Sequence, residues 1–167
     1  TAHTLSLHDA LPIYKILPTE IRNIYKGHPI ALWGFVAFLA LMTWRSIIHL
    51  IYQEYGLHQI ANFIVLTGDP DPMPMIYLFF SLWGLAQFIL CMICWIVILR
   101  YRELISLMYI LFIFEWAIRL ILYPLTDLAL ANNEIYNNGS TPGSDLALGM
   151  VIVLVVLFLL SLKESKS

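Results

Sequence analysis

The chain has little of what soluble enzymes use. Only 12% of its 167 residues are charged, about half the usual soluble share, and it contains two cysteines, eight glycines and eight prolines. With just Cys91 and Cys94, a disulfide framework of several bridges is excluded. A structural zinc takes four ligands, which two thiols alone do not supply. No Gly-rich phosphate loop, nucleophile elbow or HExxH pattern occurs, so the sequence carries no recognisable catalytic constellation. Basic residues form no patch or stripe, which excludes a nucleic-acid interface. Haem is disfavoured as well: His49 is the lone histidine inside an apolar run, whereas membrane haem takes axial ligands from facing helices.

Residues 1–13 call for separate treatment. Thr4 to Ile13, TLSLHDALPI, matches the translation of a common sequencing-library adapter in one reading frame. The stretch 1–13 is therefore read as an assembly artefact and set aside like a fusion remnant. The expectation is a metagenomic, bacterial gene fragment whose native N-terminus lies elsewhere.

What the chain has in abundance is apolar sequence, 60% of residues, at a mean hydropathy of +0.81. Four runs are long enough to cross about 30 Å of hydrocarbon at 1.5 Å per residue: 29–52, 76–99, 104–125 and 146–162. Too little polar sequence remains to cover such helices in a soluble core. The fold class is all-α: an integral membrane four-helix bundle, up-down-up-down, forming one domain over 29–162. It is preceded by an interfacial segment at 14–28 and followed by a tail at 163–167.

Orientation follows from the basic residues, which favour the cytoplasm. Lys15, Arg22 and Lys26 precede the first span, Arg100 and Arg102 lie in the second connection, and Lys163 and Lys166 follow the fourth. The first and third connections carry acids but no Lys or Arg. Both termini are expected in the cytoplasm of a multi-pass protein of the bacterial inner membrane.

Outside the spans, Pro18 to Lys26 is expected to form a short interfacial helix stopped by Gly27 and Pro29. Leu57 to Leu66 reads as an amphipathic turn or short helix, ahead of the breaker-rich 68–74. The third connection, 126–144, reads as a mobile loop, and its Asn138-Gly139-Ser140 sequon as a chance match.

Three ionisable residues, Arg45, Glu115 and Arg119, sit within the spans, where each costs on the order of 2.5–3.5 kcal/mol unless paired or hydrated. At 100° per residue, one face of the first helix carries Gly34, Phe38, Leu41, Met42, Arg45, His49 and Tyr52. A face of the second collects Phe80, Trp83, Gly84, Gln87, Cys91 and Cys94, and one of the third Met108, Leu111, Phe112, Glu115, Arg119 and Leu122. Helix direction puts Arg45 and Arg119 at one depth, about 10 Å below the outer boundary, with Gln87 and Glu115 near the midplane. If the faces converge, these four form a polar cluster with His49 and Tyr52 above it and Cys91, Cys94 and Met108 as a floor. The fourth helix, without an ionisable residue, reads as a brace or lipid-facing wall.

Two readings of that cluster stand side by side. In the first, Glu115 and Arg119, spaced i,i+4, pair with each other and accept Arg45 or Gln87, locking the bundle, with Asp127 and Glu54 as further counter-charges. In the second, the cluster and His49 bind an anionic or carbonyl-bearing ligand: a lipid headgroup, a quinone or a small carboxylate. The bilayer is the certain partner of either; a homo-oligomer or a partner membrane subunit is compatible with both. Trp33, Trp83, Trp95 and Tyr101 read as ordinary belt and packing aromatics.

Cys91-Met92-Ile93-Cys94 resembles the CxxC of quinone-coupled thiol oxidases and vitamin K epoxide reductases. Those families use a second, outer cysteine pair, which this chain lacks, and apolar flanks disfavour an activated thiolate. The pair is read first as packing cysteines and second as a redox pair. Phe114-Glu115-Trp116-Ala117-Ile118-Arg119-Leu120, with Trp83-Gly84-Leu85 and Leu99-Arg100-Tyr101-Arg102, resembles the small four-helix membrane proteins of the DoxX-like superfamily. That resemblance spans roughly 77–162 and implies a membrane subunit linked to quinone reduction. The favoured function is a non-enzymatic or accessory membrane protein. The alternatives are a quinone-linked redox subunit and a small oligomeric transporter or channel.

Overall fold

A computed structural model describes residues 12–18, 20–125, 135–139 and 141–164. Its elements are helical: α1 (Pro12–Ile16), α2 (Pro29–Ile51), α3 (Gln53–Tyr55), α4 (Met73–Arg100), α5 (Ile105–Leu125), α6 (Pro142–Asp145) and α7 (Ala147–Leu162). A wide π-helical turn at Gly56–Ile60 follows α3, and a 3₁₀ turn at Arg102–Leu104 leads into α5. Three stretches are long and apolar enough to cross a membrane: Pro29–Ile51, Met73–Arg100 and Arg102–Ile121. The fourth apolar helix, α7, has 16 residues and reaches about 24 Å.

Local sequence sets the helix starts. His28 caps α2 by accepting the Ile30 N–H on Nδ1 at 3.2 Å, and Pro29 supplies the preset φ of the first turn. Pro72 and Pro74 flank the start of α4, where Asp71 Oδ1 accepts the Met73 N–H at 3.0 Å. Lys15 Nζ donates to the Leu162 carbonyl at 3.2 Å, placing a cation at the negative end of α7.

The long helices pack side by side, α2 chiefly against α4 and α5 chiefly against α7, with α2 also touching α7. Between α2 and α5 runs an aromatic ladder: Phe35 lies 4.9 Å from Tyr109, and Phe38 meets Phe112 edge-on at 4.9 Å. Hydrogen bonds clasp successive helix pairs. Tyr109 donates to the Ala31 carbonyl at 2.7 Å, Trp95 to Thr43 Oγ1 at 3.0 Å and Ser81 to the Leu50 carbonyl at 2.9 Å, while Ser106 and Ser161 share a hydrogen at 2.8 Å. Such interhelical bonds are each worth roughly 0.6–1.7 kcal/mol in lipid.

On α7 the buried residues are Ala147, Leu154 and Ser161, spaced in sevens as a packing seam requires. Leu148, Ile152, Val153, Val156 and Leu159 point outward, each more than half exposed. At Gly84 the backbones of α2 and α4 come so close that a Cβ would stand 2.5 Å from the Leu50 nitrogen. Only glycine permits that approach.

One expectation for the connections needs correction. Residues 20–28 form no helix; the segment runs as an irregular strap across one end of the bundle. Its polar groups find distant partners instead: the Arg22 N–H donates to Glu103 Oε2 at 2.7 Å, Asn23 Nδ2 to the Leu99 carbonyl at 3.0 Å, and the His28 N–H to the Leu160 carbonyl at 3.1 Å. These bonds replace the local ones a helix would have made.

Most of the loop expected at 126–144 lies outside the described residues, and its described part is tied to the first connection. Phe63 and Asn137 form an antiparallel bridge, flanked by Ile64 N–H to the Tyr136 carbonyl at 3.1 Å and Asn138 N–H to the Asn62 carbonyl at 2.8 Å. Thr141 Oγ1 donates to the Ala61 carbonyl at 2.9 Å. Asn62 holds φ at 61°, a conformation asparagine tolerates better than most residues. The amphipathic stretch expected at 57–66 becomes the π-helical turn and this crossing, with His58 bridging the Phe63 carbonyl and the Tyr77 hydroxyl at 2.7 Å each.

Candidate functional site

The polar side chains of α2, α4 and α5 meet. Gln87 Nε2 of α4 donates to Glu115 Oε1 of α5 at 2.8 Å, and Arg119, one turn further along α5, forms an ion pair with the same oxygen. Arg119 and Glu115 are largely withdrawn from the surface, their side chains 12% and 25% exposed. From α2, Arg45 enters between the rings of Trp83 and Trp116, its guanidinium carbon 5.2 Å and 5.6 Å from their centroids. Arg119 lies over the same two rings, at 5.3 Å and 4.9 Å. Two indoles from different helices thus serve two guanidinium groups, each contact worth about 0.5–2 kcal/mol according to desolvation.

His49 completes the upper rim. Its ring stacks on Trp83 with centroids 4.7 Å apart and tilts against Phe80 at 4.5 Å, and the residue is buried. Trp83 is 38% exposed, so it stands between the guanidinium pair and the surroundings of the bundle. Below Arg45 lies Met42 Sδ, 4.0 Å from Nη1, and the buried core of Cys91, Cys94 and Met108.

Four buried polar atoms at this cluster have no hydrogen-bond partner: His49 Nδ1, Gln87 Oε1, Glu115 Oε2 and Trp116 Nε1. Each such group costs about 1–3 kcal/mol when left unmet. The set contains one certain donor, the indole N–H; two acceptors, the amide and carboxylate oxygens; and one imidazole nitrogen able to serve either way.

Other members of the expected faces fall elsewhere. Leu41, Tyr52 and Leu111 are exposed, and Gly34 faces Leu157 of α7. Leu122 and Asp127 lie outside the side chains described. Cys91 and Cys94 are free thiols buried in the core, Cys91 beside Thr43 and Ser46. Among the described residues no group of three or more His, Cys, Asp or Glu side chains could hold a metal.

The aromatic clamp was the element that the sequence reading missed. The face pattern puts Trp83 beside Gln87 on the second span but pairs neither Trp83 nor Trp116 with an arginine. The available signal was that Trp83 precedes Gln87 by four residues while Trp116 follows Glu115 directly. Comparison of the chain with protein families, curated proteins and solved structures finds no match.

Proposed function

We propose that this chain is a four-span membrane protein, up-down-up-down with both termini in the cytoplasm, whose intramembrane cluster binds the polar head of a membrane-soluble ligand. The charge distribution supports that orientation: the strap, the α4–α5 turn and the end of α7 carry the basic residues outside the spans, whereas the opposite connections carry Glu54, Asp69, Asp71 and Asp145 and no base. Such a bias sets orientation in multi-pass proteins. α7, although short, closes the bundle with its apolar outer face toward lipid.

The observation that carries the ligand reading is the set of four buried, unpartnered polar atoms around the indole-clamped guanidinium pair. A pure lock would satisfy its own members. A head bearing a carbonyl or anionic oxygen suits the guanidinium groups and the Trp116 N–H, and a hydroxyl on the same head suits the oxygens of Glu115 and Gln87. Quinone-like rings and hydroxylated lipid headgroups share this chemistry. The partly exposed Trp83 favours lateral access from lipid.

The deciding measurement is native mass spectrometry of the protein extracted with its membrane lipids, comparing wild type with Arg45→Ala, Arg119→Ala and Trp116→Phe. The last keeps an aromatic ring beside the guanidinium groups and removes the N–H together with part of the indole. A co-purifying lipid or quinone depleted in all three variants is expected. Unfolding of the arginine variants, with no ligand on wild type and an unchanged Trp116→Phe, would return the cluster to a structural lock. Quinone reduction abolished by Cys91→Ala or Cys94→Ala would instead favour the redox subunit.

A further inference from the structure

A polar chamber lies at the basic end of the bundle, on the far side of the aromatic ladder from the intramembrane cluster. Its volume is about 1050 Å³, and its walls are the strap, the α4–α5 turn and the C-terminal end of α7. Lys15, Arg22, Lys26 and Arg102 line it, against Glu20, Glu103 and Glu164. Each acid has its own cation: Glu164 pairs with Lys15 at 3.1 Å, Glu20 with Arg22 at 2.5 Å, and Glu103 with Lys26 at 3.3 Å. Arg102 is left over. Its Nε donates to the Ile98 carbonyl at 2.9 Å, and it has no carboxylate partner among the described residues.

Tyr25 also lines the chamber. The Tyr25 hydroxyl is buried without a hydrogen-bond partner, and burial pushes its phenol up to about 12, so it stays protonated at neutral pH. Gly27 is what lets the strap press against α7, since a Cβ there would stand 2.3 Å from the Ser161 carbonyl oxygen.

Its setting is that of lipid headgroups. The strap and the segment before it turn Leu17, Ile21 and Ile24 outward, each about half exposed, among the cations of the same segment. Apolar side chains interleaved with Lys and Arg at the end of an apolar bundle suit the membrane interface. Pro29, Leu32 and Leu162 add an apolar wall to the chamber itself, suited to the first carbons below a headgroup.

We propose that this chamber is a second binding site, taking the phosphate of an anionic phospholipid headgroup on the Arg102 guanidinium and the Tyr25 hydroxyl, with the paired lysines as supporting charge. The proposal rests on the membrane reading above, but not on the ligand proposed for the intramembrane cluster. Guanidinium groups suit phosphate oxygens through parallel N–H donors, and basic pockets at cytoplasmic helix ends are where such headgroups are held.

The test is a titration of delipidated protein in uncharged detergent, followed by native mass spectrometry, with phosphatidylglycerol, phosphatidylcholine or inorganic phosphate as the probe. Saturable phosphatidylglycerol binding is expected, weakened about tenfold by Arg102→Gln and less by Tyr25→Phe. Arg100→Gln, exposed at the same end but outside the chamber, is expected to leave it unchanged. Equal binding of phosphatidylcholine, or equal losses in the Arg100 and Arg102 variants, would overturn the site. Inorganic phosphate binding as tightly as the lipid would move the assignment to a soluble phosphate compound. If Arg102→Gln fails to fold, Tyr25→Phe decides, because unchanged affinity there removes the hydroxyl from the site. Loss of binding with Arg45→Ala alone would transfer the lipid to the intramembrane cluster.

Discussion

Gln87 and Glu115, 28 residues apart on helices that otherwise touch little, share a 2.8 Å hydrogen bond inside the bundle. Glu115 Oε1 takes this bond and the Arg119 ion pair together, so one carboxylate oxygen ties α4 to α5 and holds the arginine. Gln87→Leu should weaken this tie while leaving helix content intact. The expected loss is about 0.6–1.7 kcal/mol, the range for interhelical hydrogen bonds in lipid, read as a lower unfolding midpoint in mixed micelles. Glu115→Leu should cost more, since it leaves Arg119 without its carboxylate. If both variants melt with the wild type, the bond does not support the bundle.

A different prediction concerns the backbone contact beneath His49. At Gly84 a Cβ would meet the Leu50 nitrogen at 2.5 Å and the His49 carbonyl carbon at 2.7 Å. Backbone cannot move aside as a side chain can, so Gly84→Ala should force α2 and α4 apart at the cost of about 1–3 kcal/mol. Gly149 on α7 meets nothing within 4 Å, and Gly149→Ala should be neutral or stabilising by up to about 1 kcal/mol through helix propensity. Thermal unfolding of the two variants side by side checks the sign of each; equal destabilisation would contradict the asymmetry.

How far the sequence anticipates these features depends on how local their causes are. The apolar lengths of α2, α4 and α5 follow from runs that any membrane helix requires, and their starts from His28–Pro29 and Pro72–Pro74. The common depth of Arg45 and Arg119 follows from a rise of 1.5 Å per residue along two spans that run in the same direction; in the structure both guanidinium groups lie over the same two indoles. The clamp itself was not legible, because it depends on how far α4 and α5 rotate about their own axes, and an almost uniformly apolar α4 leaves no amphipathic signal for that rotation. The strap was misread for another reason. Pro18 and Glu20 suggest a helix start, but Glu103, 81 residues away, takes the Arg22 N–H. Long-range polar partners of this kind have no local signature.

Orientation across the membrane is open to a direct test that also uses the buried cysteines. Cys91 and Cys94 are 1% and 0% exposed, so neither should react with a water-soluble maleimide in the folded protein. New cysteines at exposed Glu54 and Arg100, introduced singly in a Cys91→Ala, Cys94→Ala background, mark opposite ends of the bundle. With the basic end held in the cytoplasm, an impermeant maleimide on spheroplasts should label position 54 and reach position 100 only after permeabilisation. The reverse pattern would invert the protein and put the phosphate chamber on the outer face. Labelling of both positions before permeabilisation would mean that α4 does not cross the membrane. Arg45, Glu115 and Arg119 would then lose the hydrocarbon setting that makes their burial costly, and with it the reason for reading the cluster as a site.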